Sequence, residues 1–111
     1  MKKSEKMKYF RLKKQSDFQK LFSSGKRAFS PSLTVVYKQS KLPIMGVSVG
    51  KKHGKSVQRN KIKRLVREAY RSILGEMQGT YSMVIIPKVS QEYSFATFQK
   101  HLKWMIKKEN L

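Results

Sequence analysis

The chain reads as a single α+β domain, and three observations predict that class. Its 111 residues suffice for one hydrophobic core, which removes about 65% of the unfolded chain's surface from water. Apolar residues recur at helical spacing in three places, and between them lie β-branched and aromatic runs bounded by Gly and Pro. One such run, Met83 to Ile86, is apolar throughout, as a strand buried on both faces would be.

Residues 1–15 are polar and basic without sustained periodicity, and are expected to form a flexible segment preceding a domain over 16–111. Ser16-Asp17-Phe18-Gln19 has the form of a capping box, and Gly25 offers a left-handed stop. A helix is therefore predicted from about 17 to 24, with Phe18, Leu21 and Phe22 on one face. Phe29 to Tyr37 predicts a strand, with Pro31 near its start where an edge tolerates a missing N–H, and a hairpin in this first half would add a further strand. After a turn over Ser40 to Pro43, a second strand follows from Ile44 to Val49, where Gly46 leaves room for close backbone approach. Lys51 to Lys55 forms a loop, and a helix starts near Ser56 and stops before the turn bracketed by Gly75 and Gly79. Pro87 ends the apolar strand. From Ser94 onward, Phe95, Phe98, Leu102, Met105 and Ile106 predict a terminal amphipathic helix packed on the sheet.

The central helix carries the functional signal. Between Lys51 and Arg71 there are nine Lys or Arg and a single Glu. At helical spacing Ile62, Leu65, Val66, Ala69 and Ile73 share one face, while Arg59, Asn60, Lys63, Arg64, Arg67 and Arg71 collect opposite. A charge run is ordinarily a solvated face, but here the acidic i, i+4 partners that lace such faces are almost absent. With a net charge of +20, the repulsion is relieved by a polyanion, so the helix reads as nucleic-acid-binding. Phe18 and Phe22, one turn apart beside cations, suit either a packed helix face or a platform on which unpaired bases stack.

Several other chemistries find no support. There is no cysteine, so disulfides and thiolate zinc sites are excluded. His53 and His101 lack ligand spacing, and His53 reads as a titratable contact near phosphate. The six acids are scattered without the pairing that protein nucleases use to hold divalent metals, and no nucleophile elbow or Walker motif is present. A membrane surface is the rival to nucleic acid, favoured only by Trp104 in the last helix. No apolar run approaches the ~20 residues that span a bilayer, and the N-terminus lacks an apolar signal core, so a cytoplasmic protein without a membrane partner is expected.

Two segments together resemble the bacterial ribonuclease P protein subunit. Arg11 to Gly25, R-L-K-K-Q-S-D-F-Q-K-L-F-S-S-G, is similar to that family's opening basic strand-to-helix motif with its two phenylalanines. Gly46 to Arg71 contains the more specific R-N-x-x-K-R-x-x-R core, at Arg59, Asn60, Lys63, Arg64 and Arg67. With V-I-I-P-K and the last helix in the expected order, the resemblance extends over essentially the whole chain.

The resemblance implies an α/β sandwich with three helices, a four-stranded, mostly antiparallel sheet and a left-handed β-α-β crossover around the basic helix. It implies partnership with ribonuclease P RNA, which would carry the catalytic centre. The complex would remove the 5′ leader of precursor tRNA endonucleolytically with magnesium ions (Mg2+), held mainly by RNA. By the same resemblance Lys51, Lys52, Lys55, Arg59, Asn60, Lys63, Arg64, Arg67 and Lys88 form the RNA-contact surface, and Phe18, Phe22 and Val36 line the leader cleft. Lys61 stands where the family commonly has Arg, and Tyr37 would replace Val36 in the cleft if a bulge reversed the strand's faces. The alternative from another class is a non-catalytic RNA-binding protein of the ribosome or a related particle.

Overall fold

In the computed structural model, which describes residues 8–111, the segments fold as β1 (Phe10–Arg11), α1 (Gln15–Ser24), β2 (Lys26–Phe29), β3 (Leu33–Gln39), β4 (Ile44–Val47), a 3-10 turn (Lys51–His53), α2 (Ser56–Leu74), β5 (Tyr81–Pro87) and α3 (Phe95–Glu109). The strands make one mixed sheet in the order β1-β4-β5-β3-β2. Antiparallel ladders of four and seven residue pairs join β2 to β3 and β3 to β5. Parallel ladders of two and four pairs join β1 to β4 and β4 to β5, so α2 is the crossover between parallel neighbours.

The α+β class and the predominance of antiparallel pairing are as expected, but five strands replace the four that the resemblance implied. The predicted strand from Phe29 to Tyr37 is in fact part of a hairpin, in which Phe29 ends β2 and β3 starts at Leu33. Ser30 accepts from Leu33 N at 3.1 Å and donates to Leu33 O at 2.8 Å, closing a turn that places Pro31 between the strands. The fifth strand, β1, lies in the segment expected to be flexible. Phe10 N donates to Pro43 O at 2.8 Å and Leu12 N to Met45 O at 3.1 Å, so the ordered domain starts well before residue 16. Residues 1–7 of that segment lie outside the described residues.

Side-chain alternation divides the core. Leu33, Val35 and Tyr37 of β3 and Met83 and Ile85 of β5 face α2 and α3, joining Ile62, Val66, Ala69, Ile73, Phe98, Leu102 and Met105 in the larger cluster. Val36 and Val84 point the other way and meet Leu21 of α1. β5 is thus buried on both faces, as its unbroken apolar run predicted.

Two helix-end expectations change. α1 begins at Gln15 with an extended Lys14 as N-cap and no side-chain cap, so Ser16 lies inside the helix and the capping box does not form. Gly25 is extended (φ −81°, ψ 159°) rather than left-handed. It is needed for space instead, because a Cβ there would stand 2.7 Å from Leu21 O and 2.8 Å from Val36 Cγ1. α3 starts where the sequence suggested, and Ser94 caps it, its Oγ accepting from Thr97 N at 3.1 Å.

Tyr37 ties the sheet to the end of α3, its hydroxyl donating to Glu109 Oε1 at 2.7 Å. Burial first, and then this carboxylate, push the phenol up to about 12. A raised folded-state value stabilises the fold below the unfolded value near 10, and the contribution disappears as pH climbs through the folded value. Tyr37→Phe is therefore expected to cost about 0.5–1.5 kcal/mol at pH 8. In urea titrations the gap to wild type should narrow between pH 10 and 12. A gap independent of pH would contradict this assignment.

Candidate nucleic-acid interface

α2 buries Ile62, Val66, Ala69, Tyr70 and Ile73. Leu65, expected among them, is only half-buried, and Tyr70 is the core residue that the periodicity missed. The cations do not stand clear of the core on the opposite side. Asn60 and Arg64 are exposed, but Arg59 is half-buried, as are Lys63, Arg67 and Arg71 along the flank where α2 meets the N-terminal segment. Tyr9 fixes that contact: its ring meets Tyr70 edge-on at 4.9 Å, and the Arg71 guanidinium lies 5.9 Å from its centroid.

Between this flank and α1 runs an open groove of about 250 Å³, whose lining includes Arg11, Lys13, Phe18, Gly46, Lys63 and Arg67. Partial burial, and next the neighbouring Arg11, lower the pKa of Arg67. A guanidinium remains charged even so, and the repulsion it shares with Arg11 is relieved by an anion entering the groove. Arg59 Nε is buried without a hydrogen-bond partner among the protein atoms.

The loop before α2 presents Lys51, Lys52 and Lys55 to solvent. His53 holds it in place. Gly50 N donates to His53 Nδ1 at 3.1 Å, which leaves Nε2 as the protonated nitrogen, 2.7 Å from Pro87 O. The sequence suggested a phosphate contact for this residue, but both ring nitrogens are engaged with backbone. Gly54, at φ 109°, then turns the chain into α2. Because Pro87 accepts from His53, the exposed Lys88 emerges at the same end of the sheet as the lysine loop.

Phe18 and Phe22 are both half-buried, with ring centroids 6.5 Å apart and planes inclined by 40°. Phe18 lies against the backbone of β4, where a Cβ on Gly46 would come within 2.7 Å of its Cζ. Val36, expected as a cleft residue, does face this side but is fully buried under α1. It supports the cleft floor and offers nothing to a ligand. Tyr37 faces the opposite core, so it does not substitute. Sequence patterns alone missed Arg11 and Lys13, which fell in a segment expected to be flexible, and Arg27, whose strand looked like loop. Arg27 Nη2 donates to Phe22 O at 3.2 Å, and its guanidinium sits 5.9 Å from the Phe22 ring.

An α+β scaffold that sets a cationic helix beside a ring-lined cleft defines an RNA-binding protein, able to hold phosphates and unpaired bases together. The family model described as Ribonuclease P matches residues 7–110. The ribonuclease P protein component of Clostridioides difficile (strain 630) is 36% identical over 105 residues, covering 90% of this chain and 91% of that protein. Among solved structures, the Staphylococcus aureus RNase P protein, as a mutant with defective mRNA degradation activity, superposes with TM-score 0.78 at 27% identity, covering 91% of this chain and 88% of that one. The Thermotoga maritima RNase P protein gives 0.76 at 28%, covering 87% and 96%.

This chain belongs to the ribonuclease P protein component family. It is accordingly a subunit of an endoribonuclease of tRNA 5′ processing and a partner of ribonuclease P RNA. The alternative of a ribosomal RNA-binding protein is set aside. Among the described residues, no helix is long and apolar enough to cross a membrane.

Replacing Arg64 and Arg67 together with Ala should weaken binding to ribonuclease P RNA. The slope of log affinity against log salt should fall by about 0.7–0.9 for each phosphate the variant no longer neutralises. An unchanged slope in filter-binding titrations would mean that these cations touch no phosphate.

Proposed function

We propose that this subunit grips the catalytic RNA through Lys51, Lys52, Lys55, Arg59, Asn60, Lys63, Arg64, Arg67 and Lys88, and holds the 5′ leader of precursor tRNA beside Phe18 and Phe22. The observation that carries the reading is the groove itself, whose lining brings Phe18 together with Lys63 and Arg67. A ring stacks an unpaired base while the cations meet the phosphates on either side of it. Mature tRNA lacks the leader, so this contact distinguishes substrate from product.

The chain's part in the reaction is affinity and position. Two polyanions repel each other, and a subunit of +20 lowers that repulsion by neutralising phosphates on both. Bond cleavage belongs to the RNA in this reading. The acids of the chain do not suit a protein-held magnesium site: among the described residues no three His, Cys, Asp or Glu gather to hold a metal ion. Glu109 accepts from Tyr37, and Glu76 faces Lys103 at 3.8 Å. In this reading magnesium is held mainly by RNA, and the cytoplasm, where precursor tRNA is processed, is the compartment that fits.

In the reconstituted holoenzyme, Phe18→Ala with Phe22→Ala should weaken precursor tRNA about tenfold or more, and mature tRNA little, since each stacked base is worth about 1–3 kcal/mol. Equal losses for precursor and mature tRNA would count against the leader cleft.

A further inference from the structure

Phe29 is a large apolar side chain left open, 58% exposed on the edge strand β2. Single exposed apolar residues are common on protein surfaces, so exposure alone argues nothing. Register gives it a context. Phe29 pairs with Thr34, and Thr34 with Ile86, so the three stand in one row across the sheet. Ala28 enters the core shared with α2 and α3, which places Phe29 and Arg27 on the opposite face, the one α1 covers in part. Ile86, in the same row, packs against the cluster that holds Phe18 and Phe22.

Arg27 completes the line. It stands two residues before Phe29 on the same face, about 7 Å away along the strand. Its guanidinium caps the Phe22 ring at 5.9 Å and is tethered to Phe22 O. The face therefore shows ring, cation, ring from α1 to the sheet edge. Neither β2 nor β3 contributes a carboxylate, and Lys88 is exposed nearby. Lys88 N donates to Ser32 O at 2.9 Å, which brings this lysine to the end of β3 nearest Phe29. A protein partner for an apolar patch would not ask for a uniformly cationic border, whereas a single-stranded nucleic acid does.

We propose that Phe29 is a third stacking residue for the precursor leader, extending the cleft beyond Phe18 and Phe22 across Arg27 to the β2 edge. The proposal rests on the leader-cleft reading and adds length to it. Val36 is buried, so the floor offers no ring of its own, and Phe29 supplies one from the neighbouring strand. The leader nucleotide it holds is a different one from those at α1, and its phosphate lies over Arg27.

The test is a series of precursor tRNAs with leaders shortened one nucleotide at a time, bound to holoenzyme carrying wild-type protein, Phe29→Ala, Phe29→Thr or Phe29→Trp. With the longest leader, Phe29→Ala should weaken binding about five- to tenfold, the low end of what one stacked base is worth. Phe29→Thr, which keeps strand propensity, should lose as much, and Phe29→Trp should bind at least as well as wild type. As the leader shortens, the loss should vanish at a length where Phe18→Ala still weakens binding. A loss that is the same at every leader length, equal for mature tRNA, or absent overturns the proposal. If Phe18→Ala also fails to discriminate precursor from mature tRNA, the leader cleft itself falls. If Phe18→Ala discriminates and Phe29→Ala does not, only the extension falls.

Discussion

Along α2, a fully buried seam turns into a row of guanidinium and ammonium groups within one helical turn, and most of the molecule is arranged around that boundary. Ile62, Val66 and Ala69 anchor the helix in the core, while Lys63 and Arg67 lie against the edge formed by β1 and β4. Such crowding of like charges opposes folding, and burial on the other side of the same helix offsets it. Because the helix is rigid and its packing is fixed, the cations are preorganised: their repulsion is met at folding and released when phosphate arrives. Tyr9, wedged between Tyr70 and Arg71, belongs to this boundary as much as the helix does.

The sheet then separates two kinds of work. The face carrying α2 and α3 holds the larger core. Among the described residues α1 covers the other face where it crosses Val36 and Val84, and beside Phe18 and Phe22 lies a surface that is apolar at its floor and cationic at its rim. Gly46 lets the Phe18 ring settle onto the β4 backbone, and Gly25 lets α1 descend close to β3. The cleft exists because these two positions lack a Cβ.

Much of this was legible in the chain. The apolar run of β5, the spacing on α2 and the start of α3 at Ser94 each express a local rule that the fold obeys, and the R-N-x-x-K-R-x-x-R spacing located the cationic surface. The rest depended on partners distant in sequence. β1 is two residues long and becomes a strand only because β4 is present to pair with it. The hairpin was hidden because Lys26 and Arg27 look like loop residues, although an edge strand with one solvent face accommodates them. His53 looked like a surface titratable group, yet its role is set by Pro87 O, which lies 34 positions away in sequence. Gly25 was placed correctly at the end of α1 but for a different reason, since its need is space against Val36 and not a positive φ. Arg27 and Phe29 followed from the hairpin register, which no local pattern displayed.

In the proposed division of labour the chain would contribute electrostatic and stacking affinity while the RNA would cleave. Cleavage of precursor tRNA at low magnesium by a bacterial ribonuclease P RNA, with and without the protein, puts that division to the test. The protein alone should cleave nothing, and it should strongly stimulate cleavage by the RNA at the mature 5′ end. The stimulation should fade as magnesium is raised and takes over phosphate neutralisation. Cleavage by the protein without RNA, or RNA activity unchanged by a protein that binds it tightly, would refute the division.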